Sequence, residues 1–186
     1  AEGFDSVNNV LVKADELIYN KKTFIFNAKG NSSALDKLNN ISIVADELEY
    51  NRKDSKYSAN KNVKVDDKLN NVITDTEKLI YLIDQEKIFT EGKTKIIIEN
   101  KYIINSKNVT WLRNKKEFSS ENYTTFDDME KNYYTAEKFR YLSDKKLLRA
   151  NNATLKSKDK NHYSFKDVLV NIETNEMHGK DLNVDF

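Results

Sequence analysis

The chain has neither cysteine nor proline among its 186 residues. Without cysteine there is no disulfide framework, no thiol catalysis and no zinc ribbon. Without proline, nothing of that kind interrupts a strand's hydrogen-bond ladder. Glycine occurs four times. No apolar run approaches the ~18 residues that a membrane-spanning helix needs. No excess of one charge is present either: 31 basic residues stand against 30 acidic ones, a net charge of +1. That balance argues against nucleic acid as a partner, because such binders carry a basic surplus. Arginine, the usual phosphate clamp, occurs only as Arg52, Arg113, Arg140 and Arg149. Lysine and asparagine are abundant, as a coding bias of the source would produce. No signal peptide is recognisable, and a start at Ala1-Glu2-Gly3 reads as a mature or trimmed product.

What is present is a phrase repeated six times. Ala14-Asp15-Glu16-Leu17-Ile18-Tyr19-Asn20 returns as Ala45-Asp46-Glu47-Leu48-Glu49-Tyr50-Asn51, then degrades through copies ending at Tyr81, Trp111, Tyr141 and Val170. The end positions 19, 50, 81, 111, 141 and 170 step by 31, 31, 30, 30 and 29. A fixed period of this size marks a stacked array in which no unit buries its apolar face alone. Arrays present long surfaces rather than one compact catalytic cleft.

Within each unit, Ile, Val, Tyr, Phe and Thr alternate with Lys, Asp, Asn and Glu, which is strand patterning. No segment carries helical periodicity. Ile41, Ile43 and Ala45 share one face, and so do Leu48 and Tyr50, but the two runs have opposite parity. The same slip separates Val12 and Ala14 from Leu17 and Tyr19, and Tyr134 and Ala136 from Phe139 and Tyr141. A bulge or corner at the Ala-Asp step returns both runs to one side. A second corner is expected where Gly30, Gly92 and Gly179 occupy one phase of the repeat and Asn60, Asn62, Asn122 and Asn152 replace them. Polar loops such as Asn51-Arg52-Lys53-Asp54 join the legs. The expected fold is therefore all-β: about six bent hairpins of ~30 residues, stacked as two facing antiparallel sheets. Twelve legs at ~4.8 Å would reach roughly 58 Å, or half that if legs alternate between sheets. Residues 1–9 read as a tail and 10–186 as a single domain.

The phrase Ala-Asp-x-Leu-x-Tyr-Asn, followed by Tyr57-Ser58-Ala59-Asn60-Lys61-Asn62-Val63-Lys64-Val65, resembles the OstA-type repeat of the lipopolysaccharide-transport proteins. The resemblance runs from about residue 10 to 186. It implies a β-jellyroll, or β-taco, with lipid A acyl chains held between the sheets, in the periplasm or at the periplasmic face of a Gram-negative outer membrane. The stretch Gly179 to Phe186 is similar to the segment that precedes the outer-membrane barrel in the LptD type of the family. The soluble LptA-type bridge is the second match, and the absence of cysteines favours it. The resemblance further implies partners: lipopolysaccharide, other jellyrolls of the pathway paired edge to edge, and for the LptD type a barrel with its lipoprotein plug. It implies no cofactor and no enzymatic step.

On this reading the lipid-lining residues are Leu17, Tyr19, Phe24, Phe26, Leu48, Tyr50, Tyr57, Val63, Val65, Leu79, Tyr81, Ile88, Ile96, Ile98, Val109, Trp111, Phe118, Phe139, Tyr141 and Leu148. The competing reading makes each of them ordinary sandwich core. The end strands, Val10 to Ala14 and Leu182 to Phe186, lack proline and are candidates for strand addition to a partner; a truncated end explains the second equally well. Asp15, Asp46 and Glu47 suggest a glycosidase pair, as in a polysaccharide-active β-solenoid enzyme, but their recurrence at one phase fits corner chemistry better. His162 and His178 have no triad partner that the sequence can place. Asp66-Asp67 and Asp127-Asp128 lack the spacing of a calcium loop and read as solvated turns. Lys156-Ser157-Lys158-Asp159-Lys160 reads as a mixed-charge loop. A scaffold that joins proteins by strand addition without lipid is a third reading.

Overall fold

Alternating β-branched and polar residues, with an asparagine or aspartate at each loop, dictate a meander. The computed structural model describes residues 1–128 and 132–185. Strand β1 (Glu2–Asp5) precedes a first leg made of β2 (Val10–Lys13) and β3 (Glu16–Asn20). Five unbroken legs follow: β4 (Ile25–Asp36), β5 (Ile41–Asn51), β6 (Lys56–Asp67), β7 (Val72–Leu82) and β8 (Lys87–Ile98). Three legs are then split at the bend: β9 (Tyr102–Lys107) with β10 (Thr110–Leu112), β11 (Glu117–Ser120) with β12 (Thr124–Asp127), and β13 (Tyr133–Ala136) with β14 (Lys138–Leu142). The last three are β15 (Leu147–Lys156), β16 (His162–Asn171) and β17 (Glu176–Lys180) with β18 (Asn183–Asp185). A 3-10 turn at Ile83–Gln85 is the one helical element among the described residues.

Each leg pairs antiparallel with the legs beside it in sequence. The legs do not alternate between sheets. Each one crosses the bend and contributes to both faces, so the two facing sheets are halves of one ladder. Half A holds β1, β2, β9, β12, β13 and β18, and half B holds β3, β10, β11, β14 and β17. At ~4.8 Å per step, the twelve rungs of half B run roughly 53 Å and half A, with β1 added, roughly 58 Å. The expected tail over residues 1–9 instead supplies β1, whose Glu2 to Asp5 pair with Lys13 to Val10.

The bend is a column of bulges. Lys29 pairs with Glu47 and Ser32 with Ala45, so Gly30-Asn31 oppose the single residue Asp46. Lys61-Asn62 and Gly92-Lys93 oppose Glu77 in the same way. The extra residues take left-handed angles at Gly30 (φ 70), Asn31 (φ 45), Lys61 (φ 62), Asn62 (φ 52), Gly92 (φ 82) and Asn152 (φ 43). An added Cβ at Gly30 or Gly92 would also run into the acid opposite, Asp15 or Glu77. Gly179 does not share this role: it pairs with Val168 inside the ladder, and a Cβ there would lie 2.8 Å from the Phe165 ring.

Turns follow one formula. In half A, Asp5 Oδ1 accepts from Val7 N at 3.0 Å, Asp36 Oδ1 from Asn39 N at 2.9 Å and Asp67 Oδ1 from Asn70 N at 3.1 Å. The turns then close on Asn9, Asn40 and Asn71 at positive φ. Asn20, Asn51 and Asn171 cap half-B turns likewise. An Asx cap satisfies backbone donors that the hairpin leaves free, which is why Asn and Asp sit at these positions.

Candidate functional site

One cross-strand row runs the length of half B on its inner face, with one residue from every leg. It reads Tyr19, Phe26, Tyr50, Tyr57, Tyr81, Ile88, Trp111, Phe118, Tyr141, Leu148, Val170 and Met177. The repeat phrase ends on this row because alternate legs enter the rung at the same register. Tyr19, Phe26, Tyr50, Tyr57 and Tyr81 form a stacked ladder with centroid separations of 4.3, 6.0, 4.8 and 5.9 Å. Offset stacking of this kind adds ~0.5–1.5 kcal/mol per pair beyond burial. A parallel row behind it carries Leu17, Ala28, Leu48, Ala59 and Leu79. Half A answers with Val65, Ile96, Ile104, Phe126 and Tyr134, and Phe126 meets Tyr141 across the interior at 5.3 Å.

The anticipated lining residues mostly converge here. Phe26, Leu48, Tyr50, Tyr57, Val63, Val65, Leu79, Tyr81, Ile88, Ile96, Ile98, Val109, Trp111, Phe118, Phe139, Tyr141 and Leu148 are all buried in one cluster. Leu17 is half-buried against it. Tyr19 is 37% exposed because no rung covers β3 on its outer side, and it forms the first step of the stack. Phe24 departs from expectation. It sits at the left-handed end of the first half-B turn (φ 59), 41% exposed, with the Arg52 guanidinium 5.8 Å from its ring. The two-residue step from Phe24 to Phe26 does not share a face because the turn intervenes.

The expectation of an open trough also meets a correction: the cleft is shut. The best-enclosed interior space, beside Phe126, Tyr134, Phe139 and Leu148, amounts to about 10 Å³. A clasp closes the rim away from the bend. Arg113, from a half-B turn, donates through Nε to Asp67 Oδ2 at 2.6 Å, through one terminal nitrogen to the Tyr81 hydroxyl at 2.7 Å, and through the other to the Asn39 carbonyl at 3.0 Å. Both charged side chains are almost fully buried, at 1% and 0% exposure. Burial works against the guanidinium's charge, yet Asp67, Tyr81 and Glu86 together overcome it and its pKa stays above the ordinary value. Further stitches join the halves along the same rim. The Tyr50 hydroxyl donates to Asp5 Oδ2 at 2.9 Å, the Tyr57 hydroxyl to Asp36 Oδ2 at 3.4 Å, and Lys146 Nζ to Glu99 Oε2 at 2.6 Å. Burial pushes the pKa of Tyr50 and Tyr57 well up and that of Tyr81 up to about 12.

Asp67 is thus no solvated turn residue, contrary to the sequence reading, but the buried anchor of the clasp. The 31-residue step from Asp5 to Asp36 to Asp67 carried that signal, since solvated loops have no reason to keep a carboxylate in phase. Asp128 is buried as well, accepting from Asn132 N at 3.1 Å. Two polar atoms of the inner row, Trp111 Nε1 and the Tyr141 hydroxyl, are buried without a hydrogen-bond partner among the described residues. The acids once weighed as catalytic stand at the bend. Asp15 and Asp46 accept from Asn31 and Asn62, each at 2.8 Å, and Glu47 accepts from Lys61 at 2.9 Å.

Among the described residues, space opens at both ends of the cleft. A pocket of about 420 Å³ at the first rung is lined by Phe4, Leu17, Tyr19, Phe26 and Arg52, and one of about 460 Å³ at the last rung by Tyr163, Phe165, Met177, His178 and Leu182. Backbone edges are free there. The first edge is β1 in half A and β3 in half B, not Val10 to Ala14, because β1 covers β2. The last is β17 and β18, and Phe186 of the expected end strand lies outside the described residues.

No family model matches the chain. No curated protein matches it either. Among solved structures it is similar to LptH of Pseudomonas aeruginosa, the LptA-homologous periplasmic component of a lipopolysaccharide transport device. The match has 11% identity, covers 59% of this chain and 80% of that one, and has a TM-score of 0.50. At this identity the likeness speaks for the fold alone, and the chain shares the β-jellyroll architecture of that protein.

Proposed function

We propose that the chain binds lipopolysaccharide by its acyl chains and passes it along the cleft as a periplasmic transport component. The observation that carries this reading is the inner row from Tyr19 to Met177, one apolar or aromatic residue per leg, leading from one open end to the other. Burial in such a cleft releases ~0.8 kcal/mol per methylene, so a ~12-carbon chain gains roughly 10 kcal/mol gross before ordering costs. A rung that repeats every leg gives a tail many similar positions and no single deep trap. The closed rim holds the empty cleft away from water, and the halves part as a tail enters. Trp111 Nε1 and the Tyr141 hydroxyl then find the oxygens of an acyl ester or amide, which supplies the partner they lack.

Of the two family types, similarity to an LptA homologue favours the soluble bridge over a domain detached from an outer-membrane barrel. The free edges β1 and β3 at one end, and β17 and β18 at the other, suit pairing with further jellyrolls. Photo-crosslinkers at Tyr50, Tyr81 and Trp111 should capture lipopolysaccharide, while those at Glu49 and Ser58, on the outer face of half B, should not. Equal capture by both sets would overturn the reading.

A further inference from the structure

Three successive half-A turns present an aliphatic side chain at the tip. Val7 is 65% exposed, Leu38 68% and Leu69 68%. They recur at steps of 31 residues, two rungs apart, which sets them in a row with ~10 Å between tips. Among the described residues the tips Lys53-Asp54, Asn114-Lys115 and Lys158-Asp159 are polar, and Phe24 at the end of the first half-B turn lies on the other half of the ladder. Nor are the three tips loose. Each is framed by the buried Asp at its base and the left-handed Asn at its end. The outer face beside them continues the apolar character. Phe4 (54% exposed), Leu11 and Leu35 (40%) pair across β1, β2 and β4, with Val44 (45%) two rows away. Isolated exposed aliphatics are ordinary, but a contiguous set on one face marks a contact surface.

We propose that this face docks on a lipid bilayer bearing anionic headgroups. Lys37 and Lys68 immediately precede Leu38 and Leu69, and Lys13 and Lys64 flank the sheet behind them; the acids nearby are Asp66, Asp75, which lies across the ladder from Lys64, and Glu2, which is already ion-paired with Lys13 at 3.2 Å. Net charge on the face is therefore positive. Separate convex tips, each with an aliphatic wedge and an adjacent ammonium, suit a deformable interface in which the wedge enters the acyl boundary and the ammonium reaches a phosphate. A folded protein would need three spaced pockets to receive them. The inference is independent of the cargo proposed for the cleft.

Flotation with phosphatidylcholine vesicles, with and without about a third phosphatidylglycerol, tests it. The chain should float with the anionic vesicles and only weakly with the neutral ones. Val7→Gln/Leu38→Gln/Leu69→Gln should weaken partition on the order of tenfold, with the single variants intermediate. Lys37→Gln/Lys68→Gln should lower binding to anionic vesicles alone, as should added salt. Leu169→Gln, on the outer face of half B, should change nothing. Absence of flotation, or flotation that the triple variant leaves intact, overturns the proposal. So does a triple variant that alters the sedimentation of the free chain, because the face is then an interface between copies.

Discussion

Single side chains decide whether the rim stays shut. Arg113→Met would leave the Asp67 carboxylate buried and unpaired, a loss of about 3–5 kcal/mol, so thermal melting should fall on the order of 10 °C. Adding Asp67→Asn to that variant should recover part of the loss, since the asparagine can still accept from Asn70 N. Asp5 gives a pH signature. Burial pushes its carboxyl up, but the Tyr50 hydroxyl and the amides of Val7 and Asn8 overcome that and leave its pKa below the ordinary value. With the unfolded pKa at ~3.9, its contribution is complete above about pH 4 and is lost as acid protonates the folded carboxylate. Melting curves of the native chain should therefore fall more steeply below about pH 4 than those of Asp5→Asn. Trp111→Phe and Tyr141→Phe separate stability from binding. Each removes an orphaned polar atom: Tyr141→Phe should leave the empty chain as stable or more so, Trp111→Phe should cost it only the packing of the lost ring, and both should weaken lipid capture.

The bent leg is the unit that the sequence reveals best. Opposite parity on either side of the Ala-Asp step is a local signal, and the structure places the bulge opposite it: the extra residue lies in the neighbouring leg, at Gly30-Asn31 or Lys61-Asn62, where the ladder turns the corner. Gly30→Ala and Gly92→Ala should each cost ~1–2 kcal/mol, read as a lower urea midpoint, since both residues have positive φ against an acid. The inner row was legible for the same reason, as a repeating phrase marks one register position on alternate legs. Phe24 was misplaced where the repeat meets a turn, a condition that periodicity does not encode; Tyr19 keeps its place in the row and is half-exposed because β3 is an outer strand. The clasp was invisible. Arg113 lies 46 residues from Asp67 and recurs nowhere, and its partners gather only once the halves close. Residues 1–9 lack the full phrase, so the half-leg β1 could not be read from it.

At the scale of the whole molecule, the bend is a hinge line stitched by bulges and the rim a seam stitched by charges. If the halves part for a tail, hydrogen exchange on adding lipopolysaccharide should quicken at the rim turns around Asn39, Asn70 and Lys115 and stay unchanged along the bend at Asn31, Asn62 and Lys93. Uniform protection would mean that the cargo lies elsewhere. The meander has one more consequence. Every leg finds its rung with the segment translated just before it, so strand pairing asks for little search along the chain and can zip up from any nucleus. The same locality makes length a free variable. A gene that duplicates or drops about 31 residues adds or removes one hairpin without disturbing the rest, so evolution can tailor the span of the array by whole numbers of hairpins.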